Sequence, residues 1–320
     1  MRKFTSNNLA RLGNSVSVSL PKDENGLIGR ECPQPDCEGY FKVKSGTGLT
    51  EPGLPCHCPY CGVSAPQDHF YTKEQIEYAH SVALRKVADA LHQDLKSLEF
   101  ESKPSGGFGI GISMKVKKGA SLPIRSYREK KLETHVTCDS CTLEYAVYGV
   151  FAYCPDCGSH NSLQILERNL SLARRMIELS QDLEEGLQRH LLENALEDCV
   201  SAFDGFGREL CLLNAQKATD ANKAAKVSFQ NLVVAEDKLK SLFGWSLESK
   251  IGQPSWQELV RAFQVRHLIA HRMGVVDEEY KSKSGDQYAI SGRKVELSLT
   301  GVSEVIDLVL ELSKKLAACF

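Results

Sequence analysis

Two Cys-x2-Cys pairs, Cys138/Cys141 and Cys154/Cys157, stand twelve residues apart and constrain this chain more than any other feature. Each pair can wrap one side of a metal ion as a knuckle, and two knuckles complete a tetrahedron of thiolates. In Cys154-Pro155-Asp156-Cys157-Gly158, the glycine lets the backbone turn and aim N–H groups at sulfur. The spacer TLEYAVYGVFAY is aromatic and β-branched and reads as a hairpin between the knuckles. A second cluster lies upstream. Cys58-Pro59-Tyr60-Cys61-Gly62 repeats the same Pro and Gly grammar, and Cys32-x4-Cys37 supplies the other half. Cys56 and His57 are surplus candidates there, and Cys56 is expected to be a buried thiol outside the ligand set. The alternative, a pair of reactive thiols, needs an electropositive setting and does not account for the duplicated layout.

The compartment follows from the same residues. The chain holds 12 cysteines in 320 residues, and its first twenty residues start basic without building an apolar segment. A secretory signal is therefore not expected, and the cysteines point to metal in a reducing cytoplasm, not to disulfides. No apolar run approaches the roughly 18 residues of a membrane span. The predicted cofactors are two structural Zn2+ ions per chain, one on Cys32, Cys37, Cys58 and Cys61, the other on Cys138, Cys141, Cys154 and Cys157. With all ligands supplied by protein, neither ion keeps an open position for catalysis. Formal net charge is −2, and two four-thiolate zinc sites take it to about −6. A uniformly basic nucleic-acid binder is thereby excluded. Cys199, Cys211 and Cys319 sit singly in helical stretches and read as small buried hydrophobes.

The predicted fold class is multidomain α+β: two small β-rich four-cysteine zinc ribbons linked by a helix, then an all-α helical bundle. Residues 1–71 form the first zinc unit, with a short strand expected at Val16–Leu20. Residues 72–101 form a connecting helix, opened by a capping box at Thr72-Lys73-Glu74-Gln75. Its apolar stripe is Ile76, Ala79, Ala83, Val87, Leu91, Leu95 and Leu98, and the helix would separate or bridge the zinc units. Residues 102–162 hold a glycine-rich loop, a basic strand segment and the second ribbon. The loop SKPSGGFGIGIS (102–113) follows a helix and lacks dinucleotide-fingerprint spacing. Lys115, Lys117, Lys118, Arg125, Arg128, Lys130 and Lys131, against the single acid Glu129, are the one strong local charge bias. They read as a solvated linker or as a phosphate-contacting strip for nucleic acid.

Residues 163–320 carry long amphipathic patterns at Leu163–Glu184, Leu187–Asn214, Ala218–Phe243 and Val302–Ala318. Gln287–Ser298 alternates like a short hairpin. One further helix, opened by a capping box at Ser255-Trp256-Gln257-Glu258, conflicts with itself. Trp256, Leu259, Val260, Phe263 and Ala270 form an apolar stripe, while Val265, Leu268 and Ile269 add apolar surface elsewhere, the pattern of an interior helix. Yet it carries Arg266, His267 and His271, and charged groups are rarely buried without a partner or a purpose. His267 and His271 have metal-ligand spacing, but HLIAH lacks the glutamate of HExxH and has no evident third ligand. Walker A and GxSxG motifs are absent.

Arg266-His267-Leu268-Ile269-Ala270-His271 resembles the R-x4-6-H motif of the HEPN superfamily. GVVDEEY (274–280) and the helix order are similar to members of that group over residues 163–320. The resemblance implies a metal-independent endoribonuclease of antiviral-defence or toxin type, composed as a homodimer. His271 would take the proton from a ribose 2′-OH, Arg266 would stabilise the phosphate, and His267 would orient Arg266 or pack in the core. The zinc ribbons would then recognise an RNA target or a protein partner. The alternative is a non-catalytic zinc-ribbon adaptor for nucleic acid or protein, in which Arg266 and His271 are structural.

Overall fold

The computed structural model describes residues 7–51, 53–102, 112–132 and 134–319. It resolves into two compact units, Met1–Ser159 and His160–Phe320. The N-terminal unit holds small sheets and two four-cysteine clusters, and the C-terminal unit is helical. Among the described residues no helix is long and apolar enough to cross a membrane.

In the first unit, the short helix α1 (Asn7–Arg11) precedes β1 (Leu27–Glu31), β2 (Tyr40–Lys44), β3 (Cys56–His57) and β4 (Ser64–Ala65). Helix α2 (Lys73–Lys96), β5 (Phe100–Ser102), β6 (Ile112–Met114), β7 (Thr134–Thr137) and β8 (Glu144–Val147) follow. The expected capping box is present: Thr72 caps α2, with side chain and backbone bonded reciprocally to Gln75. Residues 15–23 form no strand, so the expectation for Val16–Leu20 is corrected; the segment lies along α2, where Lys86 Nζ donates to the Ser17 carbonyl at 2.9 Å. The glycine-rich loop lies mostly outside the described residues. The basic stretch after it, 115–132, has no regular structure, which corrects the strand expected there.

The two cysteine units are not held apart by α2. Their strands form one antiparallel sheet in the order β1-β2-β8-β7. The expected hairpin between the later knuckles is also corrected. The spacer supplies only β8, which pairs with β7 on one side and β2 on the other. The register has internal symmetry. Lys42 pairs with Ala146 at the centre, while the outer pairs Glu31↔Tyr40 and Thr137↔Glu144 occupy matching places immediately before each first cysteine and at the start of each inner strand. An approximate twofold axis thus runs between β2 and β8 and exchanges the two halves. One sheet face, with Phe41, Tyr145 and Val136, builds a core together with Phe70 and the buried cysteines. The stripe predicted on α2 does not join that core: Ile76, Val87 and Leu91 are exposed, and the buried positions are Gln75, Ala90 and Asp94. Polar anchors decide the helix's orientation here, since Asp94 accepts from Asn8 and Leu9 and Gln75 Nε2 donates to the Gly29 carbonyl.

The helical unit contains α3 (Ser162–Ser180), α4 (Glu185–Leu213), α5 (Ala221–Ala224), α6 (Leu232–Phe243), α7 (Leu247–Ile251), α8 (Gln253–Arg272), α9 (Glu278–Ser284) and α10 (Leu299–Ala317). The third predicted helix is broken between α5 and α6. There the buried Asp204 of α4 accepts from Ser228 Oγ at 3.0 Å and from Phe229 N at 2.6 Å, which offers that backbone a partner other than a helical carbonyl. Phe229 then sits edge-on to Phe203, which meets Phe263 of α8 at 5.9 Å and 90°. Gly207 makes this possible, because a Cβ there would lie 2.6 Å from the Phe229 ring. Helix α8 begins at Gln253 with Pro254 in its first turn and Gly252 as cap, so the capping box expected at Ser255 is replaced by a proline start. Residues 287–298 form no hairpin of their own. Their one ladder contact is the bridge Val275↔Lys294.

Asp204→Ala should therefore cost about 2 kcal/mol and lower the unfolding temperature by about 4–8 °C, read by calorimetry, because it strands the buried Phe229 N–H. An unchanged melting temperature would contradict this role for Asp204.

Candidate zinc centres and a candidate catalytic helix

The cysteines group as two clusters, Cys32/Cys37/Cys58/Cys61 and Cys138/Cys141/Cys154/Cys157, each with all four sulfurs within 4.8 Å of one another. The Sγ–Sγ distances Cys32–Cys61 (3.7 Å), Cys37–Cys58 (3.8 Å), Cys138–Cys157 (3.7 Å) and Cys141–Cys154 (3.4 Å) can be compared with an ideal tetrahedron. Zn–S bonds of about 2.3 Å set its edges at about 3.8 Å, whereas a disulfide would bring two sulfurs to about 2.05 Å. Both donor sets therefore fit two zinc ions per chain. Cys56 and His57 lie outside them, and burial pushes the Cys56 thiol up to about 12. The same cause raises Cys199 and Cys211 to about 12, so none of these three is a ready nucleophile.

The backbone around each ion repeats. Cys32 N donates to the Gly39 carbonyl as Cys138 N does to that of Leu143. Cys58 N donates to Val63 as Cys154 N does to Ser159, each at 2.8 Å. Glu38 and Thr142, each following a second ligand, hold φ of 44° and 63°, and Gly62 and Gly158 hold 71° and 70°. Such left-handed turns are costly for Glu and Thr, and they persist here because each knuckle curls around its sulfur. The halves are also stitched together. His57 N donates to the Pro155 carbonyl and Tyr153 N to the Pro59 carbonyl, both at 2.8 Å. The Gly158 backbone packs on the His57 ring, and that of Gly62 on the Tyr153 ring. This gives His57 a packing role that its position beside a ligand could not reveal.

The basic strip does not form one patch. Lys118 is paired with Asp89 at 2.9 Å, Arg125 with Glu77, and Lys130 lies over the Tyr40 ring. Lys115 and Lys117 are exposed. Arg128 and Lys131 line a groove of about 450 Å³ on the second sheet face, together with Lys22, Lys42, Glu129 and His135. Lys42 is buried there against Asp23 at 2.7 Å.

Helix α8 is embedded at its centre, where Ala262, Phe263, Gln264 and Val265 are buried in succession. The expectation of an interior helix fails for the last turns. Arg266 is half-buried, His267, Ala270 and His271 are exposed, and only Leu268 returns to the core. His267 therefore does not pack in the core. Its ring lies 4.6 Å from that of His271, tilted by 54°. Arg266 Nε is buried without a hydrogen-bond partner, and no carboxylate pairs with this guanidinium among the described residues. The helix ends on Met273, 80% exposed with φ of 53°, and Arg272 Nε approaches Asp277 at 3.7 Å. On the helical surface Arg266 and His271 are about 140° apart, with Ala270 between them.

Zinc-loaded protein should contain two zinc ions per chain by mass spectrometry. Cys154→Ser should lose the second ion and weaken retention of the first about 10-fold, because the knuckles share backbone bonds and ring contacts. Full retention of the first ion would contradict that coupling. No family model, curated protein or solved structure matches the chain.

Proposed function

We propose that the helical unit is a metal-independent endoribonuclease of HEPN type and that the zinc unit recognises its target. The carrying observation is the state of Arg266: a half-buried guanidinium with no carboxylate partner, on the turn where α8 emerges beside two exposed imidazoles. A purely structural arginine at such a depth would be expected to hold an acid. A guanidinium left unpaired instead suits a phosphate whose charge grows during attack.

In this reading His271 takes the proton of a ribose 2′-OH as that oxygen bonds to phosphorus and the P–O5′ bond breaks. The products are a 2′,3′-cyclic phosphate and a 5′-hydroxyl. His267, ring to ring with His271, returns a proton to the leaving O5′. The wide angle between Arg266 and His271 calls for a second copy of the chain, whose α8 would approach over the small Ala270 and complete the site. Lys22, Arg128, Lys131 and His135 around the sheet groove supply a backbone-contacting surface for RNA. The adaptor reading draws on the zinc ribbons and the same groove, and the structural role it gives Arg266 finds no hydrogen-bond partner for the buried Nε among the described residues.

Arg266→Ala and His271→Ala should each lower RNA cleavage at least about 100-fold. The melting temperature of His271→Ala should stay near that of the parent, since His271 is exposed, and Arg266→Lys, which keeps the packed stem and the charge, controls for the loss of packing in Arg266→Ala. The assay uses zinc-loaded protein with no added divalent cation. RNA ends should carry cyclic phosphate, and DNA should remain intact. Well-folded variants that cut RNA like the parent would overturn the proposal.

A further inference from the structure

The second sheet face of the zinc unit carries four positions in cross-strand register, Gly29, Lys42, Ala146 and His135, one on each strand. The groove of about 450 Å³ lies over the last three, between residues 21–25 and 127–132. Lys42 is buried and bonded to Asp23 at 2.7 Å, which leaves ammonium hydrogens to spare. The small Ala146 keeps the floor open between Lys42 and His135. At the other end Glu129 is seated over Gly29, where a Cβ would collide with its carboxylate and with Tyr40. The Tyr40 hydroxyl donates to one oxygen of that carboxylate, and Lys130 N donates to the same hydroxyl at 3.2 Å. The other oxygen, Oε1, is buried with no donor. The groove thus sets an acceptor in want of a donor near an ammonium with hydrogens to spare. On its rim Lys22, Arg128 and Lys131 are exposed, against the one exposed acid lining it, Glu24. None of these three cations forms an ion pair among the described residues.

We infer that this groove reads a guanine in single-stranded RNA, whose N1–H and N2–H donate to the Glu129 carboxylate and whose O6 accepts from Lys42. The inference rests on the reading of the zinc unit as the part that recognises RNA. Guanine is the common base that sets two adjacent donors beside an acceptor on one edge, whereas adenine, cytosine and uracil each offer a single donor group there. A duplex hides that edge in its own base pairs, so the strand must be unpaired. A carboxylate without a donor also suits an arginine from a protein partner. Three unpaired cations on the rim repel such a side chain and attract the phosphates that flank a base. Glu129 belongs to a wall without regular structure, so its buried oxygen turns to a donor without breaking a strand or helix. The volume lies at the small end of ligand sites and fits one base with its neighbouring phosphates.

Fluorescence anisotropy of ribose-methylated pentamers, which bind without being cut, tests this on the zinc-loaded full chain. UUGUU should bind at least about 10-fold more tightly than UUAUU, UUCUU or UUUUU. Inosine in place of guanine removes only the N2 amine and should weaken binding about 3-fold or more. Glu129→Gln keeps an acceptor for Tyr40 and should bring UUGUU to within about 2-fold of UUUUU, with both zinc ions retained. Equal affinity for the four pentamers, or no saturable binding, would overturn the inference and leave cleavage by the helical unit standing. Guanine preference in a chain that cuts no RNA would strike the nuclease and support the groove. A preference undiminished both by inosine and by Glu129→Gln would overturn the assignment to Glu129. An arginine–glycine peptide that displaces labelled UUGUU at lower concentration than unlabelled UUGUU does would give the groove to protein and overturn it as well.

Discussion

Eight thiolates gathered into two tetrahedra hold the N-terminal unit together. Its strands are two to five residues long, and its core leans on the cysteines themselves. Five of the ligand cysteines, Cys32, Cys58, Cys138, Cys141 and Cys154, are themselves part of that core, so metal binding contributes to its folding free energy. Sulfurs packed at van der Waals separation are poor company for one another without a cation. Burial raises the Cys32 and Cys141 thiols to about 11, and ion binding is what brings such groups to the thiolate form. The approximate twofold makes the halves interdependent, because each knuckle donates to and accepts from the other. The two ribbons thus share one sheet, whose second face carries a polar groove.

The helical unit obeys a different constraint. Its core is large and aromatic at the centre, and Phe203 fixes α8 through Phe263 on one side and the Asp204-anchored loop through Phe229 on the other. An embedded middle gives the helix rigidity, and an emerging end gives it access. Arg266 sits at that transition, where the guanidinium stem is packed and its head has no acidic partner. A side chain held in this way is pre-ordered for an anion without being neutralised beforehand, the condition under which its charge is most useful to a transition state.

Much of this was legible in residue order. Cysteine spacing gave both ligand sets, because a tetrahedral ion accepts few arrangements of four sulfurs. Thr72–Gln75 marked the start of α2, and the long amphipathic patterns marked α3, α4 and α10. What escaped were contacts between distant segments. The pairing of Lys42 with Ala146, which fuses the two zinc halves, leaves no local periodic signal. The break before α6 comes from Asp204, far upstream in sequence. Helical periodicity assigns Ala270 to a buried stripe because it cannot sense where a helix leaves the body that encloses it. The stripe of α2 misled for a related reason: Gln75 and Asp94 outcompete leucines through hydrogen bonds that hydrophobicity does not register.

The central claim is that Arg266, His267 and His271 together grip one scissile phosphodiester. It is tested most directly by NMR of the histidine rings while the protein is titrated with an RNA whose ribose 2′-hydroxyls are methylated, so that it binds without being cut. The account predicts saturable shifts of the His267 and His271 ring signals that vanish in Arg266→Ala, with the other histidines of the helical unit unmoved. RNA binding that leaves both rings undisturbed would contradict it.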